Sequence, residues 1–219
     1  MKSLSILIPI FNEEESLQAL FDELKSTFEN NQSIEIIFIN DGSSDMSQKV
    51  IENEIANYST WKLINLYRNY GKSVALQSGI DIASNELIAT LDGDLQDDPK
   101  ELINLVRELN EDDVIVGWKK DRLDPLEKKI ASKIFNFFIK LFSGLKIKDS
   151  NSGIKVLKKE VAKSLNLYGG RHRYIPLLAH QKGFNVKEIP VHHRERKFGK
   201  SKYGAERYKH GFFDFMTIL

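Results

Sequence analysis

"ELIATLDGDLQDDP", residues 86–99, joins three kinds of local structure in a short span. Leu87 to Leu91 are mostly apolar and read as a buried strand, and four aspartates follow within seven positions: Asp92, Asp94, Asp97 and Asp98. Pro99 then stands where the first turn of a helix accepts proline. A strand, a charged loop and a helix in that order form half of a β-α-β unit. Carboxylates this close repel and raise one another's proton affinity unless a cation lies among them, so the loop calls for a cation.

The same alternation runs through the first 116 residues. "LSILIPI" (4–10), "IEIIFIN" (34–40), "KLINLY" (62–67), "ELIATLD" (86–92) and "DVIVGW" (113–118) are short and isoleucine-rich, as expected of strands covered on both faces. Leu17, Leu20, Phe21, Leu24 and Phe28 recur at helical spacing, and Ser43 and Ser44 are expected to cap a helix over "DMSQKVIENEIANY". Asp97 and Asp98 are expected to precede and cap the helix at Pro99. The fold class is therefore α/β: one domain with a mainly parallel, Rossmann-like sheet flanked by helices. Ligands of such sheets bind beyond the carboxyl ends of the strands.

Composition narrows the function classes. The 219 residues are 41% hydrophobic and 29% charged, which suits one compact domain. With no cysteine, disulfides and thiolate metal sites are excluded. The start turns acidic after Pro9 and lacks a signal peptide's long apolar region, so a cytosolic placement is expected. A formal net charge of +1 conceals a division: residues 1–116 hold 8 Lys and Arg against 22 Asp and Glu, and residues 117–210 hold 24 against 8. Such asymmetry suggests a basic face for an anionic partner, against the plainer reading of two surfaces that attract each other.

The strand ends select Pro9 to Glu13, Asn40 to Asp45, Arg68 to Lys72 and Asp92 to Asp98 as the loops that meet at one edge. No G-x-G-x-x-G follows the first strand, and "GKS" at 71–73 lacks the earlier glycine of a P-loop, since position 66 is leucine. What remains is a nucleotide site without a glycine cradle. Asp41 is placed to accept from a ribose or base edge, or simply to hold a turn, and Glu13 suits the first turn of a helix. If the segment stays extended, Asp92, Asp94 and Gln96 share one side and offer hard oxygens to Mg²⁺ or Mn²⁺. The five histidines show no zinc spacing and read as satisfied imidazoles.

Taken together, "SILIPIFNEEESL", "FINDGSSDMS", "NYGKSVALQSGIDIASNELIATLDGDLQDDP", "DSNSGIKV" and "RKFGKSKYG" resemble the family 2 glycosyltransferases of GT-A fold. The resemblance is to the branch of dolichyl-phosphate mannose synthase and the bacterial undecaprenyl-phosphate sugar transferases. It implies that Pro9, Phe11, Glu13 and Asp41 line a nucleotide pocket, that Lys72 and Asp92 border it, and that Asp92, Asp94 and Gln96 hold the metal. It implies a catalytic domain over 1–210, with a nucleotide half (1–116), an acceptor half (117–210) and a juxtamembrane start at 211–219.

In the second half, "RERKFGKSKYG" (194–204) groups Arg196, Lys197, Lys200 and Lys202 with Ser201 around Gly199, a bendable loop suited to phosphate. The resembling enzymes contact phosphate with such a stretch, which implies roles for Arg196, Ser201 and Lys202. Lys119, Lys128 and Ser132 match positions that the resemblance gives to a lipid phosphate. Ile130, Ile134, Phe137, Phe138, Leu141 and Phe142 form the apolar stripe of a helix, either packed in the core or laid on a membrane interface. "RHRYIP" (171–176) is similar to a family stretch near the active site, which implies that Arg171, Arg173 and Tyr174 border donor or acceptor. The nine residues from Gly211 to Leu219 fall short of the roughly 20 needed to span a bilayer.

The expected partners are a nucleotide-diphosphate sugar, a polyprenyl phosphate and the cytoplasmic face of a membrane, with inversion at the sugar carbon and Asp94 and Arg196 as catalytic groups. A family 2 enzyme acting on a saccharide hydroxyl is the alternative, with Asp149 as its base. A non-catalytic anion-binding or membrane-binding module is a third reading.

Overall fold

A computed structural model of the protein describes residues 2–28, 31–119, 144–195 and 218. The stretches expected to form the amphipathic helix (130–142) and the phosphate loop (196–204) lie outside these residues, and with them Lys128, Ser132, Arg196, Ser201 and Lys202. All of the juxtamembrane segment except Ile218 lies outside them too.

Seven strands form one sheet: β1 (Leu4–Ile10), β2 (Ile34–Asn40), β3 (Trp61–Asn65), β4 (Leu87–Thr90), β5 (Val114–Lys119), β6 (Lys155–Lys158) and β7 (Val186–Val191), in the order β3-β2-β1-β4-β6-β5-β7. All pairings are parallel except those of β6, which runs antiparallel to both β4 and β5. The expected GT-A-like, mainly parallel sheet is present. The reversed strand was not read from the sequence, because "KVLK" is short and begins and ends in lysine.

The helices cover both faces, as continuous apolar strands require. Along β2 every residue is buried, with Ile36 and Phe38 on one side and Ile37 and Ile39 on the other. The first side packs against α1 (Glu14–Phe28), α2 (Ser47–Ile55) and α4 (Pro99–Glu108). The second packs against α3 (Lys72–Ile82), α5 (Lys159–Ser164) and α6 (Ile175–Gln181). Leu17, Leu20, Phe21, Leu24 and Phe28 are all buried, so the helical spacing reported the core face of α1 correctly. Phe21 meets Phe38 edge-on, with ring centroids 5.6 Å apart.

Two expected caps are differently used. Asp98 caps α4 by accepting from the Lys100 amide (3.0 Å), but Asp97 turns inward and caps nothing. Helix α2 begins at Ser47, too late for Ser43 or Ser44 to cap it. Ser43 instead accepts from the Asn12 amide at 3.0 Å, tying the β1 loop to the β2 loop.

Ile218 packs with Leu145, Ile147, Tyr174 and Leu177, and its carbonyl accepts from Gln181 Nε2 at 3.0 Å. Among the described residues no helix is long and apolar enough to cross a membrane.

At the opposite sheet end from the charged loops, Glu35 is 5% exposed and accepts from Ser5 Oγ (2.5 Å), Lys62 Nζ (2.5 Å), and the Ser84 amide and hydroxyl (3.1 and 3.0 Å). Burial pushes its carboxyl up, but these donors outweigh it and hold the group below its ordinary value of 4.5. A lowered carboxyl stabilises the fold above its unfolded value and loses that contribution as pH falls through the folded value. Glu35→Gln is expected to cost about 1–3 kcal/mol at neutral pH. In urea melts, the gap from the wild type should shrink as pH falls below about 4.

Candidate nucleotide and phosphate site

The loops after β1, β2, β3 and β4 are sewn together at the carboxyl edge. Asn12, held in the left-handed region (φ 51°), accepts from the Ser44 amide at 2.7 Å, and the Glu13 amide donates to Ser47 Oγ at 3.0 Å. Asp41, 4% exposed, accepts from the Tyr70 and Gly71 amides at 2.8 and 2.9 Å. Burial raises its carboxyl despite those two bonds. The neighbouring Gly42 (φ 67°) lies so near the β3 loop that a Cβ would sit 2.3 Å from the Arg68 carbonyl carbon. Ser16 Oγ donates to the Gly93 carbonyl at 3.0 Å, which fixes α1 against the acid loop. Glu13 and Asp41 are therefore tied into one rim, with Pro9 and Phe11 just before them at the end of β1, and Asp41 holds its partner loop as the turn reading requires.

The acid loop is not extended as expected. Leu95 adopts φ 63°, and Asp94 Oδ1 accepts from the Gln96 amide at 3.2 Å in a turn. Burial nevertheless alternates: Asp92, Asp94 and Gln96 are half-buried, while Gly93, Leu95 and Asp97 are buried. Much of the cation that the aspartates call for is lysine. Lys72, the first residue of α3, pairs with Asp92 Oδ1. Lys119, the last residue of β5, lies 2.8 Å from Asp97 Oδ1. Arg194 pairs with Asp98 and, at 2.6 Å, with Glu23.

These pairs decide the electrostatics. Burial works to raise the Asp92 carboxyl, but Lys72, Lys119 and Lys155 hold it well below the usual range. Burial likewise opposes ionisation of Asp97, and Lys119 and His193 overcome it. Lys119 is raised, since Asp97 and Asp92 outweigh its own burial. Lys119, expected at an acceptor phosphate, has its ammonium in the acid loop, with its side chain 13% exposed.

Sequence reading missed three parts of this site. Gly153 lies against both carboxylates, where a Cβ would be 2.6 Å from Asp92 Oδ2 and 2.8 Å from Asp97 Oδ2. Lys155, the first residue of β6, is buried beside Asp92 and is pushed down to about 7 by burial and by Lys72. Asp97 also bridges to His193, whose Nδ1 is 3.5 Å from Oδ1. The two serines and single glycine of "DSNSGIKV" were the only signal for the first two. His172 matches its expectation as a satisfied imidazole, since its Nδ1 lies 2.9 Å from Ser73 Oγ.

For a divalent ion the donors are chemically suited: the second oxygen of Asp92, the carboxylate of Asp94 and the amide oxygen of Gln96 are hard ligands on one loop. Among the described residues no three carboxylates or imidazoles form a complete cage. Mg²⁺ needs only one or two protein carboxylates when phosphate oxygens and water fill the remaining positions.

Residues 5–165 match the model of the Glycosyl transferase family 2. The chain belongs to that family. It is 34% identical over 223 residues to the dodecaprenyl-phosphate galacturonate synthase of Rhizobium johnstonii, covering 99% of this chain and 66% of the relative. It is 35% identical over 224 residues to the undecaprenyl-phosphate 4-deoxy-4-formamido-L-arabinose transferase of Yersinia pestis, covering 100% of this chain and 68% of the relative. The chain thus spans about two thirds of the length of these relatives. Among solved structures it resembles the glucosyl-3-phosphoglycerate synthase of Mycobacterium tuberculosis in complex with Mn²⁺ and UDP-glucose (TM-score 0.77, 14% identity, 99% of this chain and 79% of that one). It also resembles a mannosyltransferase of Pyrobaculum calidifontis in complex with GDP-mannose and Mn²⁺ (TM-score 0.70, 15% identity, 95% and 60%). These structures establish the GT-A fold of the family 2 chain.

The Lys119–Asp97 pair gives a test of its own. Asp97→Asn leaves a buried ammonium uncompensated and is expected to cost about 3–5 kcal/mol. Adding Lys119→Met removes that charge and should recover much of the loss in denaturant titrations.

Proposed function

We propose that this chain is the catalytic domain of an inverting glycosyltransferase that moves a hexose from a nucleoside-diphosphate sugar, of UDP-glucose or GDP-mannose type, to a polyprenyl phosphate. Residues 1–210 form that domain, with the donor served mainly by 1–116 and the acceptor by 117–210. The observation that carries the reading is the edge itself: four strand-end loops sewn together around half-buried carboxylates, with lysines threaded among them, in a family 2 chain. The two relatives at 34% and 35% identity are both named for polyprenyl-phosphate sugar transfer, which supports the acceptor. Their sugars differ, so the hexose rests on the resemblance to dolichyl-phosphate mannose synthase.

The chemistry follows from charge. An oxygen of the acceptor phosphate attacks the anomeric carbon from the face opposite the diphosphate. The bond from that carbon to the diphosphate oxygen breaks, its electron pair leaves with the diphosphate, and the configuration inverts. Phosphate monoesters have a second pKa near 6, so at neutral pH the nucleophile is largely a dianion and needs no side-chain base. Pro9, Phe11, Glu13 and Asp41 border the nucleotide, and Lys72 faces the leaving group beside Asp92. Asp92, Asp94 and Gln96 hold Mg²⁺ or Mn²⁺, which when bound neutralises charge developing on the diphosphate. Arg196, Ser201, Lys202, Lys128 and Ser132, outside the described residues, serve the phosphates on the acceptor side. The enzyme works at the cytoplasmic face of the membrane, where its lipid acceptor is presented.

Transfer of labelled sugar from UDP-glucose or GDP-mannose, with and without polyprenyl phosphate and Mn²⁺, tests the reading. Product that partitions into organic solvent supports it, and product formed only on a soluble saccharide supports transfer to a hydroxyl instead. Asp94→Asn is expected to lower divalent-dependent turnover on the order of a hundred-fold. Its melting temperature should change little, because the side chain is half-exposed. Unchanged turnover in Mn²⁺ would contradict the role of Asp94.

A further inference from the structure

Lys155 is the cation that the pairing pattern leaves over. It is 3% exposed, and its ammonium donates to the Ser152 carbonyl; among the described residues it has no carboxylate within ion-pair distance. A buried ammonium held by a neutral carbonyl is costly, and such groups concentrate at functional sites. Ser152, 2% exposed, has a hydroxyl without a partner among the described residues.

Local contacts fix Lys155 and two other cations around the same end of the sheet. The β4–β6 register pairs it with Thr90, and Thr90 Oγ1 donates to the Gly153 carbonyl at 2.6 Å, so the start of β6 is fixed beside the end of β4 and Asp92. Ser73 Oγ accepts from the His172 amide at 3.0 Å and lies 2.9 Å from His172 Nδ1. That double contact locks the short 3-10 turn Arg171–Tyr174 onto the first turn of α3, through the neighbour of Arg173 in one element and the neighbour of Lys72 in the other. After burial, the charges that push the His172 imidazole down are Lys72, Arg173 and Lys155, in keeping with that placement. Asp92 and Asp149 favour the charged form of Lys155, whereas Lys119, like Lys72, opposes it. Arg171 stacks 3.9 Å over the Tyr168 ring at its margin.

We propose that Lys72, Arg173 and Lys155 form a cationic socket for a phosphate group, in which Lys72 and Arg173 touch the phosphate and Lys155 acts through them from below. Lys72 was already placed beside the nucleotide and Arg173 near the substrates; Lys155 is new to the site, and so is the joint role of the three. Arginine supplies a fork for two phosphate oxygens, and a lysine beneath it raises the local potential without needing to reach the ligand. The socket rests on the proposed transfer from a nucleoside diphosphate to a lipid phosphate, and either phosphate satisfies its chemistry.

Binding without turnover separates the two ideas. Farnesyl phosphate, farnesol, UDP and GDP are titrated by calorimetry into the wild type, Lys155→Met, Arg173→Gln and Arg173→Lys, with the folded state of each checked by circular dichroism and a melt. Loss of about tenfold or more in affinity for a phosphate ligand is expected in Lys155→Met and Arg173→Gln, with partial recovery in Arg173→Lys. Affinity for farnesol should not move, whereas a merely structural defect would weaken the alcohol and its phosphate alike. A loss confined to farnesyl phosphate assigns the socket to the acceptor, and one confined to UDP or GDP assigns it to the donor. Wild-type affinity of both variants for every phosphate ligand overturns the socket while leaving the transfer reading standing. If Lys155→Met does not fold, the half-exposed Arg173 variants decide by the same criteria. Sensitive phosphate binding in a protein that transfers no sugar supports the socket and removes the transfer reading.

Discussion

Lysine ammonium groups threaded between aspartates hold the carboxyl edge of this sheet together. For Asp92 and Asp97 burial favours protonation, and the lysines beside them reverse that preference. Lys72 answers Asp92 from the start of α3, and Lys119 answers Asp97 from the end of β5. Both lysines sit at the ends of regular elements, so their positions are set by the sheet and not by the loop. The loop is consequently charged and ordered at once, which a site for a polyanionic ligand and a cation requires.

The neighbouring loops reach the same edge by a different route, through backbone amides and short polar side chains. Asn12, Ser43, Ser44 and Ser47 link the first two loops, and the Asp41 carboxylate reaches to the third. These contacts are short and directional, so the three loops are held in one arrangement. For the proposed nucleotide, such a rim would offer preorganised dipoles.

What could be read in advance divides along the same line. The strands and the core face of α1 were legible because burial on both faces leaves a continuous apolar run and burial on one face leaves a helical period. The acid loop was legible as a site because its charge density has no structural use by itself. Its partners were not, because a lysine that closes an ion pair across the sheet carries no local pattern: Lys119 reads as one more member of a basic stretch. Asp97 shows the cost of local rules, since a position just before Pro99 suits a helix cap and the tertiary pairing with Lys119 overrode it. The extended geometry imagined for Asp92 to Gln96 failed at Leu95, where a left-handed residue turns the chain, yet the alternation of burial survived because Leu95 itself is drawn into the core.

The antiparallel β6 accounts for the remaining asymmetry. In a purely parallel sheet every strand arrives at the ligand edge with its last residue, and the site is then furnished by loops that leave it. A strand that runs the other way begins at that edge, so its first side chain is presented from within the hydrogen-bonded ladder. Lys155 occupies this place, paired with Thr90 on one neighbour and Val116 on the other. A cation mounted in the middle of a sheet has far less freedom than one on a loop, and its field is delivered at a fixed point. The glycine two residues earlier allows the aspartates to lie against the same backbone, since any side chain at Gly153 would displace them. Reversal of one short strand thus sets a lysine against an acidic loop, and the two signs meet at the carboxyl edge, where the proposed diphosphate and its counter-ion would be held together.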